Sequence, residues 1–250
     1  MDLKLKDKVA IVTGGGSQKG YGKGICLALA REGCHVVVDD KDEQFEGAQI
    51  TSQEVKALGV RSLAINADIR VRSEVDDLVN ATINEFGRID ILINNAGAST
   101  PMVPFYKTDR AFWEQDIETN LYGQMNMCHA VLPQMMKQKY GKIIIFSGGT
   151  GIANISSYGA SKAGAVTFGM SLAQEMAPLG IIVNMFIPGV GDTGLGGGSE
   201  ALPPGFMENI GKRSLRGRLC TPDDVGPMIA FLVSDINSYM AGKFVDMGAI

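Results

Sequence analysis

Tyr158 and Lys162 stand four residues apart in Tyr158-Gly159-Ala160-Ser161-Lys162, within a stretch (157–177) whose pattern predicts a helix. Four residues is about one helical turn, so both side chains leave the same face. An ammonium beside a phenol favours the phenolate and lowers its pKa from about 10. Such a pair can serve as general acid and base for a carbonyl–alcohol couple. Spacing alone equally fits two polar residues on a surface helix, so other segments must decide. The turn Thr13-Gly14-Gly15-Gly16-Ser17-Gln18-Lys19-Gly20-Tyr21-Gly22-Lys23-Gly24 lies between a predicted strand and a predicted helix. Its glycines permit positive φ and let backbone N–H groups approach a pyrophosphate at the helix N-terminus. An acid that holds a ribose hydroxyl should follow about 20 residues later, at the end of the second strand. Asp39 and Asp40 stand there. Strand, turn, helix and acid together predict a dinucleotide site. A carboxylate at that point repels a 2′-phosphate and so favours NAD over NADP. Lys19 and Lys41 either supply opposing charge or are solvated surface lysines.

The elements that must position these groups follow from alternating short and long apolar patterns. Runs at 9–12, 35–38, 62–65, 89–93, 142–146 and 181–186 are rich in β-branched residues and apolar on both faces, as a sheet covered on two sides requires. Helical patterns occupy about 22–32, 43–58, 72–86, 108–137, 157–177 and 222–234, the last opening on Thr221-Pro222 as N-cap and first residue. A short strand near 242–247 closes the chain. Strands alternating with long crossovers imply parallel β-α-β units and one α/β, doubly wound, Rossmann-like domain over 1–250, of about seven strands. The irregular Pro188–Lys212 stretch, rich in Gly and Pro, is of the length usually found in lids, and 188–214 is expected to cover a substrate.

Composition narrows the function classes. With 250 residues, 45% hydrophobic, 20% charged and a net charge of -4, the chain can build an ordinary core. Its 23 basic and 27 acidic residues form no long run of either sign, which argues against nucleic-acid binding. No stretch approaches the roughly 18 apolar residues of a membrane span, and Met1–Lys8 lacks the apolar core of a signal peptide. Cys26, Cys34, Cys128 and Cys220 are scattered, with only His35 and His129 to assist them. Neither a metal site nor a disulfide framework is expected, and a cytoplasmic setting is the default. Cys26 and Cys128 lie in apolar helical surroundings and read as core residues.

Four further segments make the chain resemble the short-chain dehydrogenase/reductase family over nearly its whole length. They are Asn94-Asn95-Ala96-Gly97 after the fourth strand, Asn120 in Asn120-Leu121-Tyr122-Gly123, the Tyr158–Lys162 helix, and Val183-Asn184-Met185-Phe186-Ile187-Pro188-Gly189 with Thr193 beyond. The resemblance implies that Tyr158 exchanges the hydroxyl proton, that Lys162 tunes it and holds the nicotinamide ribose, and that Asn120 continues the proton path. It implies cofactor contacts from Gly14, Ser17, Gly20, Tyr21, Gly22 and Asp40. Asp68 and Ile69 would flank adenine, Asn95, Ala96 and Gly97 would line the ribose side, and Pro188, Gly191 and Thr193 would meet carboxamide and phosphate. The helix carrying Tyr158 is rich in small residues, and in the family it packs against its copy in a second subunit, which implies a homodimer or homotetramer.

The chain also departs from the family pattern. Gly14 and Gly20 enclose five residues instead of three: either two are inserted, or Gly16-x-x-x-Gly20-x-Gly22 is the working register. The family's spacing would put its catalytic Ser at Ile145, inside a strand. Ser147, at the strand end, is the first candidate to polarise a substrate oxygen, followed by Gly148 where the family often has a second Ser; Thr150 and Ser156 are the alternatives. Gly191 replaces a residue that is usually branched and apolar, so its contact would be through backbone.

Met102, Phe105, Tyr106, Leu195, Leu202, Phe206 and Met207 occupy the segments that form the family's substrate pocket, or else pack those segments onto the body. As a lining they suit an apolar or ring-bearing alcohol or ketone. The leading expectation is an NAD(H)-linked oxidoreductase for a secondary alcohol and its ketone. An NADPH-dependent 3-oxoacyl-carrier reductase is the alternative in chemistry, with Lys212, Arg213, Arg216 and Arg218 either meeting a carrier's phosphate or forming solvated surface. A nucleotide-sensing binding protein that kept the fold and lost catalysis is the alternative of another class.

Overall fold

In the computed structural model, which describes residues 2–196, 200 and 202–248, seven parallel strands form one sheet of order β3-β2-β1-β4-β5-β6-β7. The strands are β1 Val9–Thr13, β2 His35–Asp40, β3 Ser62–Asn66, β4 Ile91–Asn94, β5 Gly141–Phe146, β6 Ile181–Ile187 and β7 Phe244–Asp246. The helices are α1 Tyr21–Arg31, α2 Phe45–Ala57, α3 Arg72–Phe86, α4 Arg110–Ile117, α5 Gln124–Gln138, α6 Ser156–Met176, α7 Phe206–Arg213 and α8 Pro222–Val233. Strand order reverses between β1 and β4, and ligands of such sheets bind in the crevice beyond the carboxyl ends at that point.

β1, β4, β5 and most of β2 and β6 are buried on both faces, which is why their sequences read as unbroken apolar runs. Alternate residues divide into two cores: Val12, Val38, Ile93 and Phe186 pack with α1 and α8, while Ile11, Val37, Leu92 and Met185 pack with α3, α5 and α6. Cys26 belongs to the first core and Cys128 to the second. A Cβ on Gly24 would meet the Pro222 carbonyl at 2.7 Å, and one on Gly226 would meet the Gly24 carbonyl at 2.7 Å, so α1 and α8 pack in near-backbone contact. That contact anchors the helix behind the glycine turn. Thr221 caps α8 as its sequence implied, in a capping box with Asp224.

Two expectations about elements need correction. The helix expected over 108–137 is α4 and α5 joined by a π-helical turn, Glu118–Gly123, and Asp109 caps its start by accepting from the Phe112 N–H. The wider turn carries Asn120 to a fully buried position, and such π insertions cluster at functional sites. The stretch Pro188–Lys212 is not irregular throughout, since most of α7 lies within it. Gly197 and Gly198 of that stretch lie outside the described residues.

Candidate active site

The carboxyl ends of the strands open on a cleft of about 870 Å³. One wall is the glycine turn. Gly14, at φ +69°, begins it, and a Cβ there would sit 2.8 Å from the Ala96 Cα. A Cβ on Gly22 would meet the Gly14 carbonyl at 2.2 Å, so these two glycines let turn and helix close on each other. Between Gly14 and Gly20 the five residues bulge toward α2. There the Gln18 amide donates to the carbonyls of Gly16 and Gly47, each at 2.9 Å, and the Thr51 hydroxyl donates to the Gly15 carbonyl at 2.9 Å. Gly20 is the N-cap of α1 and gives no side-chain cap, leaving the first N–H groups of the helix to whatever enters the cleft.

Asp40 lines the cleft at the end of β2, accepting from the N–H groups of Gly16 at 2.8 Å and Lys41 at 2.9 Å. Burial raises its pKa against those two bonds, which lower it. Asp39 lines the same end, and its Oδ1 is buried without a hydrogen-bond partner among the described residues. Burial, then the neighbouring Asp40, holds that carboxyl well above its ordinary range. Lys41 pairs with Asp68 at 3.5 Å. Burial would raise Asp68, but its bonds from Arg70 prevail and hold it at about 2. Ile69 also lines this end of the cleft.

Asn95, Ala96 and Gly97 form the floor. The Asn95 amide donates to the carbonyls of Thr13 at 2.9 Å and Gly14 at 3.0 Å, tying β4 to the turn. Pro188 and Thr193 line the opposite side, where Ser17 Oγ donates to the Thr193 carbonyl at 2.9 Å. Gly196 reaches Ser99, where an added Cβ would meet the Ser99 carbonyl at 3.1 Å. The segment after β6 thus runs from the glycine turn to the loop after β4, across the cleft.

Tyr158 and Lys162 both line this cleft. Lys162 is only 3% exposed, its Nζ lies 5.7 Å from the Tyr158 ring centroid, and it donates to the Phe146 carbonyl at 3.5 Å. Burial pushes Lys162 down to about 8 against the opposing charge of Asp116. The phenol departs from the expected direction: burial, then Asp116, pushes Tyr158 up to about 12. A phenol held that high is a proton donor across the neutral range. Asn120 stands behind the cleft, donating to the Ala98 carbonyl at 2.8 Å and to Ser161 Oγ at 3.1 Å while accepting from the Ala98 N–H at 3.0 Å.

Ser147 lines the cleft, 4% exposed, and its hydroxyl donates to the Lys162 carbonyl at 3.1 Å. The position facing the phenol is Gly148, where an added Cβ would lie 2.2 Å from Tyr158 Oη. The alternative Thr150 is exposed and, like Ser156, does not line the cleft. Gly22, Asn120 and Gly191 lie behind the cleft surface.

Of the apolar residues expected to line a substrate pocket, Leu195 is among those that line this cleft. Tyr106 is 82% exposed, and Phe105 stacks on Trp113 at 5.2 Å. Ser99, Gln115 and Thr119 line the cleft instead. Sequence reasoning also missed Asp116, fully buried on α4, which accepts from the Thr100 N–H at 3.0 Å, Thr100 Oγ1 at 2.8 Å and Ser157 Oγ at 2.6 Å. It ties the loop after β4 to the residue preceding Tyr158. Only the fold reveals it, since its partners lie 16 and 41 residues away.

Comparison with known proteins bears on the same residues. The family model for short chain dehydrogenases matches residues 8–201. The chain belongs to the short-chain dehydrogenase/reductase family. A 3-oxoacyl-[acyl-carrier-protein] reductase of Staphylococcus aureus is 34% identical over 243 residues, 95% of each chain. A cis-4-hydroxycyclohexanecarboxylate dehydrogenase of Sinomonas cyclohexanicum is 36% identical over 248 residues, 98% of this chain and 96% of that one. A solved structure named as a short-chain alcohol dehydrogenase, from Sinorhizobium meliloti 1021, superposes with a TM-score of 0.90 at 29% identity, covering 98% and 96% of the two chains. As a short-chain dehydrogenase/reductase, the protein is an oxidoreductase that uses a nicotinamide cofactor. No helix among the described residues is long and apolar enough to cross a membrane.

Proposed function

We propose that this oxidoreductase interconverts a secondary alcohol and its ketone on a small apolar or cyclic substrate, with NAD(H) as its cofactor. One observation carries the reading: the Tyr158–Lys162 pair opens into the same cleft as the uncapped end of α1 and Asp40. The donor set fits a dinucleotide. Gly14, Gly20 and the first N–H groups of α1 would take the pyrophosphate, Asp40 a ribose hydroxyl, and Asp68 with Ile69 the adenine. Asn95, Ala96 and Gly97 would lie along the second ribose, with Pro188, Thr193 and the backbone near Gly191 at the carboxamide. When bound, the nicotinamide supplies or accepts the hydride.

The chain's own residues manage the proton. In reduction, the Tyr158 hydroxyl donates to the oxygen that becomes the alcohol, and in oxidation it takes that proton back. Lys162 stays an ammonium only below about pH 8, because burial disfavours its charge. Its positive charge beside the phenol stabilises the phenolate left after donation. Reduction is therefore expected to fall as pH rises through about 8, read as kcat/KM for the ketone at saturating NADH; a flat profile from pH 6 to 10 would contradict the role given to Lys162. Asn120, between the Ala98 backbone and Ser161, would continue the proton path.

The carboxylate of Asp40 supports NAD over NADP. Titration of nicotinamide fluorescence is expected to show at least tenfold tighter binding of NADH than of NADPH, narrowing in Asp40→Ser. A preference for NADPH would instead favour the second reading, a 3-oxoacyl-carrier reductase, which the Staphylococcus aureus relative supports. Within the basic cluster, Lys212 is paired with Glu208 at 2.6 Å and Arg218 with Asp224 at 2.6 Å, which weakens the case for a phosphate there. Binding of either dinucleotide without turnover of any ketone would mark a nucleotide sensor. The small-residue helix α6, with Met170 exposed, is the face we assign to homo-oligomer contacts.

A further inference from the structure

At the base of the cleft one side chain joins its two walls. Tyr21, first residue of α1, donates its hydroxyl to the Gly189 carbonyl at 2.6 Å, bridging from the glycine turn to the segment after β6. Two residues on, a Cβ at Gly191 would lie 2.1 Å from Tyr21 Oη and 2.6 Å from the Cys220 carbonyl. Gly191 is not among the glycines with positive φ, so its backbone conformation does not demand glycine. Room does. The phenol, with the Cys220 carbonyl beside it, fills the space that any side chain at 191 would need.

We propose that Tyr21 and Gly191 are a size-matched pair, in which the tyrosine hydroxyl occupies the volume of a residue-191 side chain and sets the separation of the cleft walls at the nicotinamide end. Two facts support a positioning role beyond packing. Tyr21 itself lines the cleft, together with Pro188 and Thr193 of the wall that it holds. Its bond to Gly189 and the Ser17 bond to the Thr193 carbonyl bracket Gly191, so the intervening backbone is pinned at both ends to the glycine turn. Burial, with Cys220 next, raises the pKa of the Tyr21 phenol, so it stays protonated and able to donate. The inference rests on the reading of the cleft as a nicotinamide dinucleotide site.

A double-mutant comparison of Tyr21→Phe, Gly191→Val, Tyr21→Ile and Tyr21→Ile/Gly191→Val tests it, with NADH as the probe. Melting temperature, the NADH dissociation constant by fluorescence, and KM against kcat are read for each. Tyr21→Phe is expected to raise the dissociation constant and cofactor KM several-fold, by a larger factor than kcat falls. Gly191→Val alone is expected to lower the melting temperature and weaken NADH binding more than tenfold, and adding Tyr21→Ile is expected to recover a measurable part of both losses, the clash with the Cys220 carbonyl at 2.6 Å remaining. A double variant no better than Gly191→Val overturns the matched pair, and Tyr21→Phe lowering kcat with unchanged NADH affinity overturns the positioning role. A wild-type protein that binds neither NADH nor NADPH overturns the reading of the cleft and this inference with it, whereas wild-type binding without rescue overturns the pair alone.

Discussion

Replacing Tyr158 with Phe is expected to reduce ketone turnover by about 10²–10⁴-fold while leaving NADH bound in the cleft. The reason is local. The phenol is a proton donor that lines the cleft, and burial keeps it protonated at neutral pH. The Ser147 hydroxyl, also at the cleft, donates to the Lys162 carbonyl at 3.1 Å. An interaction used only as the proton moves should lower kcat and kcat/KM by similar factors, so the KM for the ketone is expected to change little. Steady-state kinetics with saturating NADH give both numbers. Turnover within threefold of wild type would remove Tyr158 from the mechanism.

The second large effect is expected at Gly148, a residue without a side chain. Its missing Cβ is what leaves space for the Tyr158 hydroxyl, and the ring atoms Cζ and Cε1 would also stand only 3.0 and 3.2 Å from that Cβ. Gly148→Ala therefore forces the ring aside as well as its hydroxyl. A displacement of about 1 Å at a reacting group can cost about 100-fold in rate, and a kcat loss of that order is expected with NADH affinity retained. Gly148→Ser would place a hydroxyl next to the phenol but requires the same displacement, so it too is expected to lose activity. If Gly148→Ser were faster than wild type, the ring would be free to yield and the site would lack a serine that it could use.

Much of this site was legible in the chain before folding, for identifiable reasons. Strands buried on both faces leave continuous apolar runs, so β1, β2, β4, β5 and β6 could be placed within a few residues. Tyr158 and Lys162 share a face because one helical turn separates them, and Asp40 could be placed because it ends β2. What stayed illegible depends on where chains of altered length go. The path of the residues between Gly14 and Gly20 is one case, set by bonds to Gly47 and Thr51 of α2 that lie far off in sequence. The Ser147 bond was illegible too: a strand-end hydroxyl has a helix carbonyl within reach, that of Lys162, and sequence does not show which partner it takes. Phe105 and Tyr106 illustrate the converse: apolar residues in a loop expected to border the pocket, turned instead toward Trp113 or solvent. Asp116 was invisible because a buried acid is tolerated only where distant donors converge on it.

In the proposed reaction a phenol beside an ammonium delivers a proton where a nicotinamide delivers a hydride. The most direct test is to incubate the protein with NADH deuterated at the transferring position of nicotinamide C4 and a panel of cyclic and acyclic ketones, and to locate the label by NMR. Deuterium on the new carbinol carbon of at least one product, lost in Tyr158→Phe, is the result predicted. NADH bound in the cleft with no label reaching any ketone would contradict it and leave a protein that holds the dinucleotide without using it.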